Sequence, residues 1–456
     1  MNGVMLSDLA AVCGGHLEGS DLEIARANTN SRTVQSGDLF VCLRGDRFDG
    51  HDYALDAINQ GAVAVVAETA IETGATQLVV PDSQRAFGML AMLWRQRLAV
   101  KLIAVTGSNG KTTVKQILTA ICRASGTVHA TRANDNNQIG VPQTLLGISA
   151  HHQYAVVEMG ANQLGEIASL AEIAQPDVAV ITNVSASHLQ GFGTIATVAE
   201  EKAAIYDGLA DDGTSVINLD DDFADYWRHK NSHRNILTFG SGADADVSTS
   251  RVGSGRILLQ IKGESVECDY FLPGEHNVLN AAAAAAAAIA AGISVERIIA
   301  GLKEAEPVSG RLNFHNLDSG HIIIDDTYNA NPASTRAAID VLQSVHGRKI
   351  LVLGDLLELG EDAKRQHELI GQYARTHGVD QILSYGSLSR FAAKEFGEPE
   401  NSFDNREALL RSLPGAMTTQ SVVLVKGSRS MRMEEVVAGL LEHDAASVRA
   451  AGGSRS

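Results

Sequence analysis

From residue 100 onward the hydrophobic pattern repeats one theme. A short apolar run, rich in β-branched residues, stops at a small or polar residue, and a segment with helical spacing follows. LIAVTG leads into Ser108, Asn109, Gly110 and Lys111, YAVVEMG reaches Glu158, and DVAVITNV leads toward His188. HIIIDDTYN reaches Asp325 and Asp326, KILVLGD reaches Asp355, QILSYG reaches Gly386, and SVVLVKGSR reaches Lys426. Continuous apolar strands alternating with helices predict parallel sheets covered on both faces. Ligands of such sheets bind beyond the carboxyl ends of the strands, where these polar residues stand.

The pattern falls into two series, joined near KEAEPVSGR, where Pro307, Ser309 and Gly310 interrupt it. Residues 249–274 alternate polar and apolar positions and predict an antiparallel insertion. The first hundred residues carry shorter strands, such as GDLFVCL and AVAVVAE, and read as a separate unit. The expected division is therefore 1–98, 99–307 and 308–456, with a frayed tail at AAGGSRS. Eight consecutive alanines, Ala281–Ala288, predict a helix packed very close to a sheet.

Composition sharpens this picture. With 45% apolar and 20% charged residues, 5% aromatics and 43 glycines, the chain suits a globular α/β protein with many tight turns. Its 37 basic and 54 acidic residues leave a net charge of −17, which argues against nucleic-acid or anionic-membrane partners. Any anionic ligand must then be held by local donors. Cys13, Cys42, Cys122 and Cys268 are widely spaced and read as free thiols of a reducing compartment. No signal-peptide pattern and no 18-residue apolar run occur, so a soluble, cytoplasmic protein is expected. No exposed apolar stripe demands a partner, so the expectation is a monomer.

The chemistry concentrates first in VTGSNGKTT. A P-loop has four residues between its glycines; here Gly107 and Gly110 enclose only Ser108 and Asn109. The loop nonetheless follows an apolar strand and opens a helix, so its N–H groups can face phosphate, with Lys111 as counter-charge and the Thr112 hydroxyl on Mg²⁺. Mg²⁺ takes oxygen ligands, and Glu158 at a strand end is the natural carboxylate. Taken singly, Glu158 is an ordinary strand-end acid, His188 a surface histidine and Lys202 a solvated helix lysine.

Read together and in order, TGSNGKTT, VVEMGANQLGEI, NVSASHLQGFGT with Lys202 beyond it, PGEHNVLNAAAA, SGR, DDTYNANPAS, GDLLELG and VKGSRSMRMEEVV resemble the ATP-dependent Mur ligases of peptidoglycan synthesis. The resemblance spans essentially the whole chain, and the short loop is shared with the related folylpolyglutamate synthetases. It implies three domains: a small N-terminal α/β domain, a central P-loop-type domain with a mainly parallel sheet, and a C-terminal Rossmann-like domain. RGDRFDGHDY, EMGANQLGEI and DDTYNANPAS are similar to the branch that joins D-alanyl-D-alanine to a UDP-N-acetylmuramoyl-tripeptide.

The same resemblance implies roles for single residues. Gly107, Ser108, Asn109, Gly110, Lys111, Thr112 and Thr113 would cradle ATP, with Lys111 at the γ-phosphate. Thr112 and Glu158 would hold one Mg²⁺. His188 and a carbamylated Lys202 would help hold a second. Asn280 and Arg311 would reach the nucleotide from across the cleft, with His276 and Asn277 shaping the turn beside them. Asp326 would take the ribose, Tyr328 and Asn329 would lie by the adenine, and Lys426 and Arg429 would face the dipeptide. In the first domain Ser31, Arg32, Arg47, Phe48, Asp49 and His51 would hold the uridine diphosphate, and Asn134, Asn136 and Asn137 would reach the muramoyl-peptide. Asn30, where relatives usually carry an acid, and Asp135, where an apolar residue is common, depart from the pattern. Two other readings stay open at this point: a folylpolyglutamate synthetase-like ligase and a catalytically inactive nucleotide-binding module.

Overall fold

The structure is a computed structural model that describes residues 1, 3–45, 48–72, 74–186, 189–417 and 420–452. Three main sheets organise it. The first orders its strands His16–Glu18, Thr76–Val79, Ala64–Ala67, Asp38–Val41 and Arg26–Asn28, all parallel except the first pair. A small hairpin, Arg44–Gly45 with Phe48–Asp49, stands beside it.

The second sheet has nine strands. From Val128–Ala130 through Tyr154–Glu158, Lys101–Thr106, Val178–Ile181, Thr214–Asn218 and Asn235–Gly240 to Val247–Gly253 it is parallel. The antiparallel strands Arg256–Ile261 and Glu264–Asp269 then extend the same sheet at its edge, so the alternating stretch prolongs the central sheet rather than forming a layer of its own. Lys101–Thr106 lies between Tyr154–Glu158 and Val178–Ile181, and the polar segments that follow these three strands therefore converge at one sheet end.

The alanine run lies in the helix Glu275–Ala290, and Ala281–Ala288 are all buried. With only methyl side chains, this helix comes close to both the sheet and the helix Lys111–Ser125. The helix Val295–Lys303 packs on Lys111–Ser125 equally closely: a Cβ on Gly301 would stand 2.3 Å from the Ile121 Cα.

The third sheet orders Asn313–Asn316, Ile322–Asp326, Ser421–Lys426, Arg348–Gly354, Gln381–Tyr385 and Ser402–Phe403, parallel except for the first pair. Its apolar residues form two clusters, one on each face.

The first hundred residues have their own sheet and, on one face of it, a small core of Phe40, Cys42, Ala54, Ala57, Ala62, Val65 and Ala67, while the other face joins a core shared with the second sheet. The helix Ser83–Arg95 lies between the first sheet and the helices Gly140–Leu146 and Glu166–Ala174, and one apolar cluster runs from Val4 to Trp227. Trp94 Nε1 donates to the Ile148 carbonyl at 2.8 Å, and the Arg95 guanidinium donates to the Ala174 carbonyl and to Asp177, both at 3.1 Å. A small sheet with so few apolar residues of its own needs that shared packing to bury enough apolar surface. Among the described residues, no helix is long and apolar enough to cross a membrane.

Candidate active site

A cavity of about 860 Å³ lies between the carboxyl ends of the second and third sheets. Its floor is the loop between Lys101–Thr106 and Lys111–Ser125. Gly107 has φ +146°, and a Cβ there would stand 2.0 Å from Thr182 Oγ1; Gly110 has φ +82°, and a Cβ would stand 2.5 Å from Asn280 Oδ1. Both positions therefore require glycine. The loop is fixed from below by residues that sequence reasoning passed over. Ser108 N–H donates to the Asn183 carbonyl at 2.8 Å, Asn109 N–H donates to Asn183 Oδ1 at 3.1 Å, and Asn109 Nδ2 donates to Ser185 Oγ at 2.9 Å. The first-turn N–H groups of the following helix lack an i−4 carbonyl, as at any helix N-terminus, and Lys111 and Thr113 of that turn line the cavity.

The Lys111 ammonium donates to the Gly107 carbonyl at 2.6 Å and to Ser108 at 3.3 Å. Burial, only partly offset by Glu158, pulls its pKa down to about 8, so it remains largely protonated at neutral pH. Beside it, Glu158 is buried at the end of its strand. Its Oε1 accepts from Thr112 Oγ1 at 3.2 Å and from Asn136 Nδ2 at 2.9 Å. Among the described residues Oε2 accepts no hydrogen bond, although the Lys115 ammonium stands 3.3 Å away. A buried carboxylate oxygen without a hydrogen bond, next to a threonine hydroxyl at a phosphate loop, fits an Mg²⁺ ligand set.

Lys202 sits on the helix Ile195–Ala203 and is 2% exposed. Burial and the nearby Lys111 charge pull its pKa down to about 7, against the attraction of Glu201 and Glu166. Burial would raise Glu166, but hydrogen bonds from the Gln138 amide and from the N–H groups of Asn162 and Gln163 hold it below its ordinary range. His188 lies outside the described residues, as does Arg47.

The third sheet closes the cavity from the other side. Arg311 Nη2 donates to Thr112 Oγ1 at 3.1 Å, and its guanidinium lies 4.3 Å from the Tyr328 ring centre, with Arg429 at 5.9 Å. Asn331 caps the helix Pro332–Ser344 with its Oδ1 while its Nδ2 donates to Asn109 Oδ1 at 2.7 Å. Asn280 Nδ2 donates to Asn277 Oδ1 at 2.9 Å, and burial holds the His276 imidazole below its ordinary pKa. Asp326 and Lys426, for which the resemblance implies separate roles, are paired: Lys426 Nζ stands 2.5 Å from Asp326 Oδ2 and donates to the Asn329 carbonyl at 3.0 Å. Arg429 donates to Glu434 at 2.9 Å.

The cavity brings together Ser108–Lys111, Thr113, Asn134, Asn136, Asn137, Glu158, Asn280, Arg311, Asp326, Tyr328, Asn329, Lys426 and Arg429. Ser31, Arg32, Phe48, Asp49 and His51 do not line it. Asn30 accepts from Arg32 N–H at 3.1 Å and caps the short turn Ser31–Thr33. Both ring nitrogens of His51 are engaged within its own domain. Nε2 accepts from Glu68 N–H at 2.9 Å and Nδ1 lies 2.5 Å from Asp49, so His51 braces the hairpin.

Known proteins resemble this chain in sequence and fold. Residues 23–95 match the description "Mur ligase family, catalytic domain", 105–288 "Mur ligase middle domain", and 310–429 "Mur ligase, glutamate ligase domain". The UDP-N-acetylmuramoyl-tripeptide--D-alanyl-D-alanine ligase of Escherichia coli (strain K12) is 38% identical over 97% of this chain and 99% of its own length. A crystal structure of MurF from Acinetobacter baumannii superposes with a TM-score of 0.89 at 36% identity, covering 95% of this chain and 98% of that one. The MurF ligase of Thermotoga maritima, solved in complex with ADP, superposes with a TM-score of 0.82 at 29% identity, covering 92% and 97%.

Proposed function

The chain belongs to the Mur ligase family, and from that premise we propose that it adds D-alanyl-D-alanine to a UDP-N-acetylmuramoyl-tripeptide in peptidoglycan precursor synthesis, with ATP converted to ADP and phosphate. The observation that carries this reading is the single cavity in which the phosphate loop, Glu158, Arg311 and Lys426 meet from two facing sheets. The full-length similarity to ligases of that name favours it over a folylpolyglutamate synthetase-like enzyme or an inactive module. The three sheets support the division at 98 and 307.

The terminal carboxylate of the tripeptide attacks the γ-phosphorus of ATP and ADP departs. The free amine of D-alanyl-D-alanine then attacks the acyl phosphate, loses its proton, and the tetrahedral adduct collapses to an amide and phosphate. The protein's task is to gather several anions and offset their repulsion. The glycines of the 107–110 loop let backbone approach the phosphates, Lys111 balances the γ-phosphate, and Arg311 faces it across the cavity. Asn280 flanks the loop, and Tyr328, Asn329 and the paired Asp326 border the nucleoside side. Lys426 and Arg429 serve the dipeptide side.

Thr112 and Glu158 would hold Mg²⁺, which supplies charge neutralisation to the phosphates when bound. A pKa near 7 leaves roughly half of the Lys202 amine unprotonated at neutral pH, on the order of a thousandfold more than an ordinary lysine. That form would add CO₂ at its nitrogen and release one proton, and the resulting carbamate would help His188 hold a second cation. Ser31, Arg32, Arg47, Phe48 and Asp49 would hold the uridine diphosphate, with His51 bracing their hairpin, and Asn134, Asn136 and Asn137 would meet the muramoyl-peptide.

Phosphate release from ATP is the test. Release strictly dependent on both UDP-N-acetylmuramoyl-tripeptide and D-alanyl-D-alanine is expected, and release with a folate and glutamate instead would refute the assignment. Lys202→Ala is expected to abolish release, and near-normal turnover in that variant would remove the carbamate from the mechanism.

A further inference from the structure

We infer that Lys115 is a positioning residue that couples metal occupancy at Glu158 to the placement of the loop 131–137. The inference rests on the reading of Glu158 as a metal carboxylate. Lys115 lies one helical turn beyond Lys111, and at 4% exposed it is not a solvated lysine. Its ammonium donates to the Ala133 carbonyl at 2.8 Å and stands 3.3 Å from Glu158 Oε2. It therefore reaches two separate elements, the end of the strand Tyr154–Glu158 and the backbone of the loop that follows Val128–Ala130. Ala133 has φ +42°, a conformation uncommon for a residue with a Cβ, and the carbonyl that Lys115 holds belongs to this residue.

The same loop returns to the same carboxylate a second time. Asn136 Nδ2 donates to Glu158 Oε1 at 2.9 Å, and the Asn136 carbonyl accepts from Gly160 N–H at 2.8 Å. Thr131 adds its hydroxyl to Glu158 N–H at 3.0 Å. Glu158 is thus a hub between the phosphate-loop helix, through Thr112 and Lys115, and a loop whose residues Asn134, Asn136 and Asn137 line the cavity.

A divalent cation at Glu158 competes with the Lys115 ammonium for the carboxylate and repels it. The ammonium's remaining partner is the Ala133 carbonyl, so cation binding shifts Lys115 toward the loop and fixes it. By reciprocity, a fixed loop favours the cation. Metal with nucleotide on one side and the peptide-bearing substrate on the other then reinforce each other through one buried side chain.

Amide hydrogen exchange on the full chain tests this without turnover. In the wild type, Mg²⁺ with ADP is expected to slow exchange at 131–137 by about threefold or more. In Lys115→Met the loop is expected to exchange about tenfold faster and to lose the response to Mg²⁺. Lys115→Gln, which keeps a donor for Ala133 but no charge, is expected to restore slow exchange without restoring the response. ADP affinity without Mg²⁺ is expected to stay within about threefold of wild type, because the loop 107–113 is untouched. Should Lys115→Met fail to fold, Lys115→Gln carries the test alone, with slow exchange and no response to Mg²⁺ expected. Equal exchange in wild type and Lys115→Met, or an equal response to Mg²⁺ in wild type and either Lys115 variant, overturns the coupling. Failure of D-alanyl-D-alanine-dependent phosphate release in the wild type overturns the ligase reading instead and leaves the exchange result to judge Lys115.

Discussion

Lys202→Met is expected to make the protein inactive and, in metal-free buffer stripped of bicarbonate, more stable. The side chain is 2% exposed, and burial together with Lys111 takes its pKa from 10.5 to about 7. At about 1.36 kcal/mol per pH unit, that difference corresponds to about 5 kcal/mol of cost for holding the ammonium in the folded state. The folded pKa lies below the unfolded one. Below pH 7 both states are protonated and the folded state bears the whole cost. Between pH 7 and 10.5 the unfolded state binds more protons, so stability rises with pH, and above 10.5 the difference vanishes. Methionine has similar volume and no charge, so the gain over wild type is largest at or below pH 7 and closes toward pH 10.5.

Urea titration followed by tryptophan fluorescence measures this directly. Trp94 and Trp227 both lie in the apolar cluster shared by the first two sheets, and Trp227 Nε1 donates to Ala199 at 3.5 Å on the helix that carries Lys202. With a urea dependence of about 3 kcal/mol per molar, even half the expected gain moves the midpoint by nearly 1 M at pH 6.5. A variant no more stable than wild type at pH 6.5, or a difference that does not shrink toward pH 10, would show that Lys202 carries no such burial cost.

Asn331→Asp keeps the helix cap on Ser334 N–H but turns the amide that donates to Asn109 into a carboxylate facing an oxygen. A loss of about 10–100-fold in kcat/KM is expected in steady-state assays, with a thermal midpoint near wild type; unchanged kinetics would remove the contact from the reaction. Gly110→Ala places a methyl 2.5 Å from Asn280 Oδ1 at φ +82°. It is expected to cost about 1–3 kcal/mol of stability and most nucleotide affinity, as read by denaturation and ADP titration. Lys426→Met strands the Asp326 carboxylate. Its expected cost is about 3–5 kcal/mol in urea, and adding Asp326→Asn should recover most of the stability but not the activity.

The architecture was legible where burial acts locally. The strands ending at Glu158, Asp326, Gly354 and Lys426 read as unbroken apolar runs because parallel strands are covered on both faces. The glycines at 107 and 110 were legible because close approach of backbone requires them. What the sequence hid is which charges meet. Lys115 reads as an ordinary helix lysine, and only the loop 131–137, folded back over the end of its neighbouring strand, buries it against Glu158. Asp326 and Lys426 are 100 residues apart and meet because Ile322–Asp326 and Ser421–Lys426 are adjacent parallel strands with those two residues in register. Strand order is a global property that periodicity does not encode. The residue types of the site are therefore local information, while the partner and ionisation state of each are settled by packing. The family pattern thus implied a role for Lys202, but only its burial shows why the pKa of an amine there falls to about 7.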